Sequence, residues 1–358
     1  MMSLWYAAYP ASNSNLKLVA VVLDEEGNTR GSRFGDASID LGLGPRGNRP
    51  GGGPALYGAV PSPDGAHVLM AYDFWPPRLI DLRSGVVITV VGARGLTLGA
   101  WMSDSSRYFL LEYGSETLPA WDNAGQSSTA LRFPGRMLTT TATSFTSLAL
   151  SANGVEALDA LVLDPIAGVR SSRTTQISIS DLRTGFLRTL FERNDARAFD
   201  VTWLSNDIAA FLLESPLPDA PSGHFGIPVN HTELWQLNVR NGQTKRIAEV
   251  GSRVEYAHQI IRLEGGNIGF IKVERVRDDK DDGNALFMYI AATGETHELA
   301  RFADRRITAA RASPDGRWVG FIANGAALGE VWVVSADGAR RRVVAGPVGA
   351  NTPIFWTR

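Results

Sequence analysis

An all-β fold, a seven-bladed β-propeller of four-stranded antiparallel blades, is predicted by three observations. One turn recurs along the chain, a second series of turns runs out of phase with it, and the two chain ends each read as part of one blade. The first turn is Ser62-Pro63-Asp64-Gly65, which returns as Ser313-Pro314-Asp315-Gly316. Degenerate copies stand at Ser103-Asp104-Ser105-Ser106, Ser151-Ala152-Asn153-Gly154, Ser205-Asn206-Asp207 and Glu264-Gly265-Gly266-Asn267. Each is flanked by short apolar runs, for example Val68 to Tyr72 and Trp318 to Ala323, as in a hairpin whose strands are largely buried. Proline presets φ at the second turn position, and Asp and Gly tolerate the tighter ones.

The second series closes on Gly27, Gly85, Gly125, Gly185, Gly242, Gly294 and Gly338. Its clearest members are Asp81-Leu82-Arg83-Ser84-Gly85 and Asp181-Leu182-Arg183-Thr184-Gly185, each between β-rich runs such as Gln176 to Ser180 and Val86 to Val91. Successive glycines fall roughly 40 to 60 residues apart, and the step from Gly338 through the end of the chain to Gly27 fits the same interval. Six turns of one kind and seven of the other place the cut in the ring inside one hairpin. The segment Pro353-Ile354-Phe355-Trp356-Thr357 matches the strand before the Ser-Pro-Asp-Gly turn, as in Leu98 to Ser103 and Val201 to Ser205; Leu4-Trp5-Tyr6-Ala7-Ala8 matches the strand after it. The expectation is a single domain over 1–358, its last blade shared by residues 1–35 and 350–358, with six blades as the alternative count. Such closure removes the exposed edge an open array would leave. Trp101, Trp203, Trp332 and Trp356 are expected at blade interfaces.

Composition narrows the function. Thirty-seven Gly, concentrated at turns, with 44% hydrophobic residues exclude disorder and suit many short elements. A net charge of −2 argues against a nucleic-acid binder, and the absence of Cys removes thiol catalysis, disulfides and thiolate metal sites. No apolar run reaches the ~18 residues of a membrane span. Residues 1 to 10 lack a signal-peptide pattern. The expected location is therefore cytoplasmic if the chain is complete as given, and periplasmic or secreted if a signal was trimmed.

Counting strands outward from the axis, first-to-second and third-to-fourth turns lie on a lower face, and the other connections lie above. The upper ones include the longest: Phe34 to Gly58, Arg132 to Ser144, Asp164 to Thr175, Glu214 to Glu233 and Val273 to Ala285. Long loops on a rigid scaffold are where binding usually resides. The ligand-binding candidates there are Arg46, Arg94, Arg136, Arg197, Arg253, His258 and Arg305, with Arg49, Arg132, Arg193, Arg301 and Arg306 nearby. Paired guanidinium groups would bind a carboxylate, a phosphate or an acidic peptide. The competing reading is that Arg, 31 of the 35 basic residues, is the default surface cation and pairs with Glu192, Asp195, Glu255 and Asp304.

His224, His231 and His258 are weak metal candidates, near Glu214, Asp219 and Glu233, with no known ligand spacing. Asp278 to Asn284 departs from a calcium loop at Lys280 and lacks the closing Glu. Gly42-Leu43-Gly44-Pro45-Arg46-Gly47 matches a dinucleotide fingerprint in letters only, because no helix pattern follows it.

The two turn types resemble those of TolB-type, WD-repeat-like propeller repeats, over nearly the whole chain but strongly only in two turns. The likeness implies the fold; activity does not follow from it, since such propellers serve as scaffolds, sensors and accessory domains of enzymes. The propeller-bearing prolyl peptidases are similar in their repeats, but the Gly-x-Ser-x-Gly elbow of their hydrolase half has no counterpart here. Oligogalacturonate lyases are similar seven-bladed propellers with a His-bearing metal centre, and none of their motifs matches residue by residue. The favoured expectation is a non-catalytic binding or scaffold propeller that recognises a protein or peptide through its upper face, with no cofactor, no nucleic acid and no membrane span. The alternative is a lyase or hydrolase acting on an acidic saccharide or small anion in the central funnel. A purely structural subunit, marked by an apolar patch on the rim, is a third reading.

Overall fold

The structure is a computed structural model and describes residues 2–8, 16–30, 38–41, 56–72, 75–91, 96–102, 104–112, 117–132, 143–151, 153–163, 174–216, 230–251, 255–274, 284–325, 328–348 and 352–358. Its strands form seven four-stranded antiparallel sheets, the blades of an all-β propeller. The only helical element among the described residues is the single turn Glu264–Gly266. Blade 1 runs outward from the C-terminal strand Ile354–Thr357 through Met2–Ala8 and Lys17–Leu23 to Ile39–Asp40, so its outermost strand lies past residue 35. Blades 2 to 7 follow in chain order over 56–89, 96–132, 143–194, 197–251, 255–301 and 306–348.

Both faces of the inner strands are buried, which the sequence writes as near-continuous apolar runs. The chain divides into two compact units. The first, Met1–Tyr113, Pro119–Ala130 and Asp304–Arg358, holds blades 1, 2 and 7 and most of blade 3. Within it the strand Met2–Ala8 splits its side chains with period two. Trp5 and Ala7 join Val68, Met70 and Ile80 of blade 2, while Met2 and Leu4 join Trp318, Ile322, Val331 and Val333 of blade 7. The second unit, Gly114–Leu118 and Leu131–Ala303, holds blades 4, 5 and 6, where Leu158, Ile177, Phe211 and Leu213 share one core and Leu212, Leu234, Ile268 and Phe270 another.

The terminal strands pair in register, Ser3 with Thr357 through Tyr6 with Ile354. Trp5 Nε1 donates to Thr357 Oγ1 at 3.0 Å, and the Trp5 ring stacks on Phe355. Three of the four predicted interface tryptophans do the same job, in blades 3, 5 and 1. Each sits on an innermost strand and donates its indole N–H to a backbone carbonyl of the preceding blade's innermost strand: Trp101 to Val60 at 2.8 Å, Trp203 to Ala149 at 3.1 Å, Trp356 to Arg311 at 2.9 Å. Trp332 differs, because it lies on a third strand, where its ring stacks on Phe321 of its own blade and its N–H turns to Glu330.

The turn series has a plain chemical basis. Ser313 Oγ donates to Asp315 Oδ1 at 2.5 Å and accepts from Trp318 N at 3.0 Å, while Asp315 Oδ1 also accepts from Arg317 N at 3.1 Å. Ser62 and Asp64 repeat this network, and Ser151 with Asn153 reproduces it with an amide oxygen. All seven glycines of the second series have φ between 72° and 76°, a region that costs other residues energy, which explains why the series is readable.

Candidate functional site on the upper edges of the blades

In each blade the upper edge is the one where the second strand passes to the third. At that edge of blade 7 the described residues form a cleft of about 580 Å³, lined by Asp304, Arg305, Gly325, Leu328, Gly329, Glu330, Val343, Gly346 and Pro347. The third strand, Gly329–Ser335, begins with two irregularities in its pairing to the outer strand, one from Gly329 to Val331 and one from Val331 to Trp332, of the kind that bends a strand. Two of these glycines are required by packing. A Cβ on Gly329 would collide with Asn324 Oδ1, and one on Gly346 would press on Glu330 Cγ at 3.3 Å. Arg305, on the approach to the innermost strand, donates from Nη1 to Glu330 Oε2, which also accepts from Trp332 Nε1 at 3.1 Å. Leu328 and Val343 are 55% and 45% exposed, values that mark them as wall rather than core. Asp304 is exposed and makes no hydrogen bond or ion pair among the described residues.

A second charged group occupies the upper edge of blade 5. Glu233, only 5% exposed, accepts from Arg246 Nη1 at 2.8 Å and from Trp235 Nε1 at 3.1 Å. Arg193 of blade 4 lies 3.9 Å away and His231 Nε2 3.6 Å away. Burial alone would raise this carboxyl, but the hydrogen bonds from Arg246 and Trp235 and the charges of His231 and Arg246 outweigh it and hold Glu233 below the usual carboxylate range. Glu233-Leu234-Trp235 and Glu330-Val331-Trp332 are the same Glu-x-Trp device on the third strands of two blades. Alternate residues share one face of a strand, so the indole N–H reaches the carboxylate two positions earlier.

The innermost strands of blades 5 and 6 carry a third feature. Asp200 and Gln259 adopt φ of 52° and 61°, each where pairing to the second strand shifts register. Asp200 Oδ2 accepts from Gln259 N at 2.5 Å and ties the two irregularities together. The residue next to Gln259 is His258, which is half-buried in the same strand.

Of the predicted ligand-binding residues, Arg46, Arg94, Arg136 and Arg253 lie outside the described residues, as do His224, Asp219, Gly42 to Gly47 and Asp278 to Gly283. Arg305 lines the cleft, where its charge is taken up by Glu330. Arg197 stands 4.0 Å from Glu214 and 5.5 Å above the Phe199 ring. Arg301 bonds Glu298 at 2.8 Å. Among the described residues these arginines are thus partnered rather than gathered on one anion. His231 is committed to Glu233, and no group of three or more His, Asp or Glu among the described residues could hold a metal ion. Sequence reasoning missed Glu330, Asp200 and the three cleft glycines. The repeated Glu-x-Trp was the available signal for the first; the others have none in a single sequence.

No family model matches the chain, and no curated protein matches it in sequence. The resemblance of its turns to TolB-type repeats therefore stays one of repeats. Solved structures match its fold. An oligogalacturonate lyase in complex with manganese superposes with a TM-score of 0.62 at 14% identity, covering 96% of this chain and 84% of that one. The oligogalacturonate lyase of Vibrio parahaemolyticus follows at 0.58 and 10%, covering 96% and 85%. A prolyl endopeptidase superposes at 0.63 and 13%, covering 99% of this chain and 48% of that one, so the chain spans about half the endopeptidase's length. Identities this low establish a shared fold and nothing about chemistry. TolB from Acinetobacter baumannii, at a TM-score of 0.47, supports no argument here.

Proposed function

We propose that this chain is a binding propeller that captures a protein or peptide segment on its upper edges and carries out no chemistry of its own. The observation that supports it is the unequal length of its connections. In blades 4, 5 and 6 the second and third strands are joined over residues 164–173, 217–229 and 275–283, whereas the first and second strands of the same blades are joined by the tight turns 151–155, 204–207 and 263–267. A rigid sheet that spends its extra residues on one edge concentrates variable contact surface there. The test is to pan phage-displayed random heptapeptides on the whole chain. Retained peptides should keep capture when the lower-edge residue Phe186, 65% exposed, becomes Ser, and a share of them should lose it when 217–229 is replaced by a short Gly-Ser turn. Loss of capture on the Phe186 change would refute the upper-edge reading.

A second reading, a lyase acting on an acidic saccharide, draws on the oligogalacturonate lyase likeness, which extends over most of both chains. The described residues do not supply the ligand group that manganese would need, so no catalytic step is derived through a metal. Incubation with oligogalacturonate and added manganese, with assay for unsaturated product, decides between the two. Turnover would overturn the non-catalytic reading.

A further inference from the structure

We infer that the blade-7 cleft is a subsite for a peptide segment in which a Lys or Arg stands beside an aliphatic residue; this rests on the peptide-capture reading above. Its size, about 580 Å³, falls within the ~300–1,000 Å³ of ligand clefts and holds two side chains with their backbone, not a folded domain. The charge balance selects the first side chain. Two carboxylates and one guanidinium line the cleft, and the guanidinium of Arg305 is engaged by Glu330. Asp304 is left as the unneutralised charge, so a cation is attracted and an anion repelled.

The walls select the second side chain. Leu328 and Val343 stand half out of the protein beside Pro347, and covering them with an aliphatic group removes apolar surface from water. Gly325 and Gly346 are exposed and carry no side chain, which lets another main chain approach closely. A peptide supplies both complements at once: a cation for Asp304 and an aliphatic group for the walls. A small inorganic cation would leave the apolar walls wet, and an acidic saccharide would meet Asp304 unfavourably.

The heptapeptides retained by the whole chain are sequenced, synthesised with a fluorophore and titrated by anisotropy. The expected result is enrichment of Lys or Arg next to Leu, Ile or Val, with binding about fivefold weaker to Asp304→Asn and to Leu328→Ser. Asp304→Lys should favour counterparts in which Glu replaces the basic residue. Both positions are surface-exposed, so unchanged melting temperatures are expected and are checked first. Peptides that bind the three variants as they bind the parent would leave peptide capture standing and overturn the cleft assignment. So would a retained set that is acidic or wholly apolar. If no peptide is retained, the capture reading and the cleft assignment both fall.

Discussion

Replacing Gly27 by Ala tests how the first and seventh blades are locked together. Gly27 closes the turn between the two outer strands of blade 1 at φ 76°, and a Cβ built there lies 2.7 and 2.8 Å from two ring carbons of Trp318 and closer still to a third. Carbon atoms pack at about 3.5–4.0 Å, so the ring must retreat by roughly 1 Å. Trp318 is 3% exposed and wedged among Leu23, Ile322 and Val333, which leaves it no free volume. The left-handed backbone costs about 1–2 kcal/mol for a residue with a Cβ, and overpacking adds about 1–3, for a total of about 2–5 kcal/mol. Gly185→Ala is the internal control, because it has φ 74° and nothing within 4 Å of its Cβ, and should cost only the backbone share. Urea unfolding followed by tryptophan fluorescence, with melting temperatures alongside, measures both variants. Equal losses at the two positions would show that Trp318 yields freely and that this contact does not secure blade 1 to blade 7.

Further outcomes follow from the same structure. Trp203→Phe should cost about 1–2 kcal/mol in urea unfolding, since it strands the Ala149 carbonyl that the indole N–H now satisfies. Arg246→Met should destabilise the protein near neutral pH by removing the closest cation from buried Glu233. That loss should shrink in acid, where a protonated Glu233 no longer needs the cation; a pH-independent loss would mean that Arg246 acts by packing. Asp315 also has a lowered pKa: burial would raise it, but hydrogen bonds from Ser313 and Arg317 and the Arg317 charge prevail. A depressed folded pKa gives stability that is present above the unfolded value near 4 and lost as pH falls through the folded value. Asp315→Asn should therefore melt below the parent at pH 7 and approach it toward pH 3, and a gap that widens in acid would contradict the turn chemistry.

The upper-edge charges show where reading from sequence stops. Arg305 was visible as a cation on a loop, but its partner Glu330 is 25 residues away, and only the packed blade brings them together. Arg193 and Glu233 belong to different blades, so their approach depends on how blade 5 sits on blade 4. The cleft is lined by Gly325, Gly329 and Gly346, positions that match neither turn series. Asp200 and Gln259 take positive φ without being glycine, held by a hydrogen bond across two blades that no local pattern records.

Blade count, the strand roles of the two chain ends and both turn types were written into the primary structure. Positive φ selects glycine locally, the Ser-Asp turn is satisfied by its own side chains, and two-sided burial shows as unbroken apolar runs. Which charges neutralise one another, and where an open cleft remains, was decided only on folding. Coulomb attraction and free volume depend on distances through space, and these couple residues whose separation along the chain carries no signal.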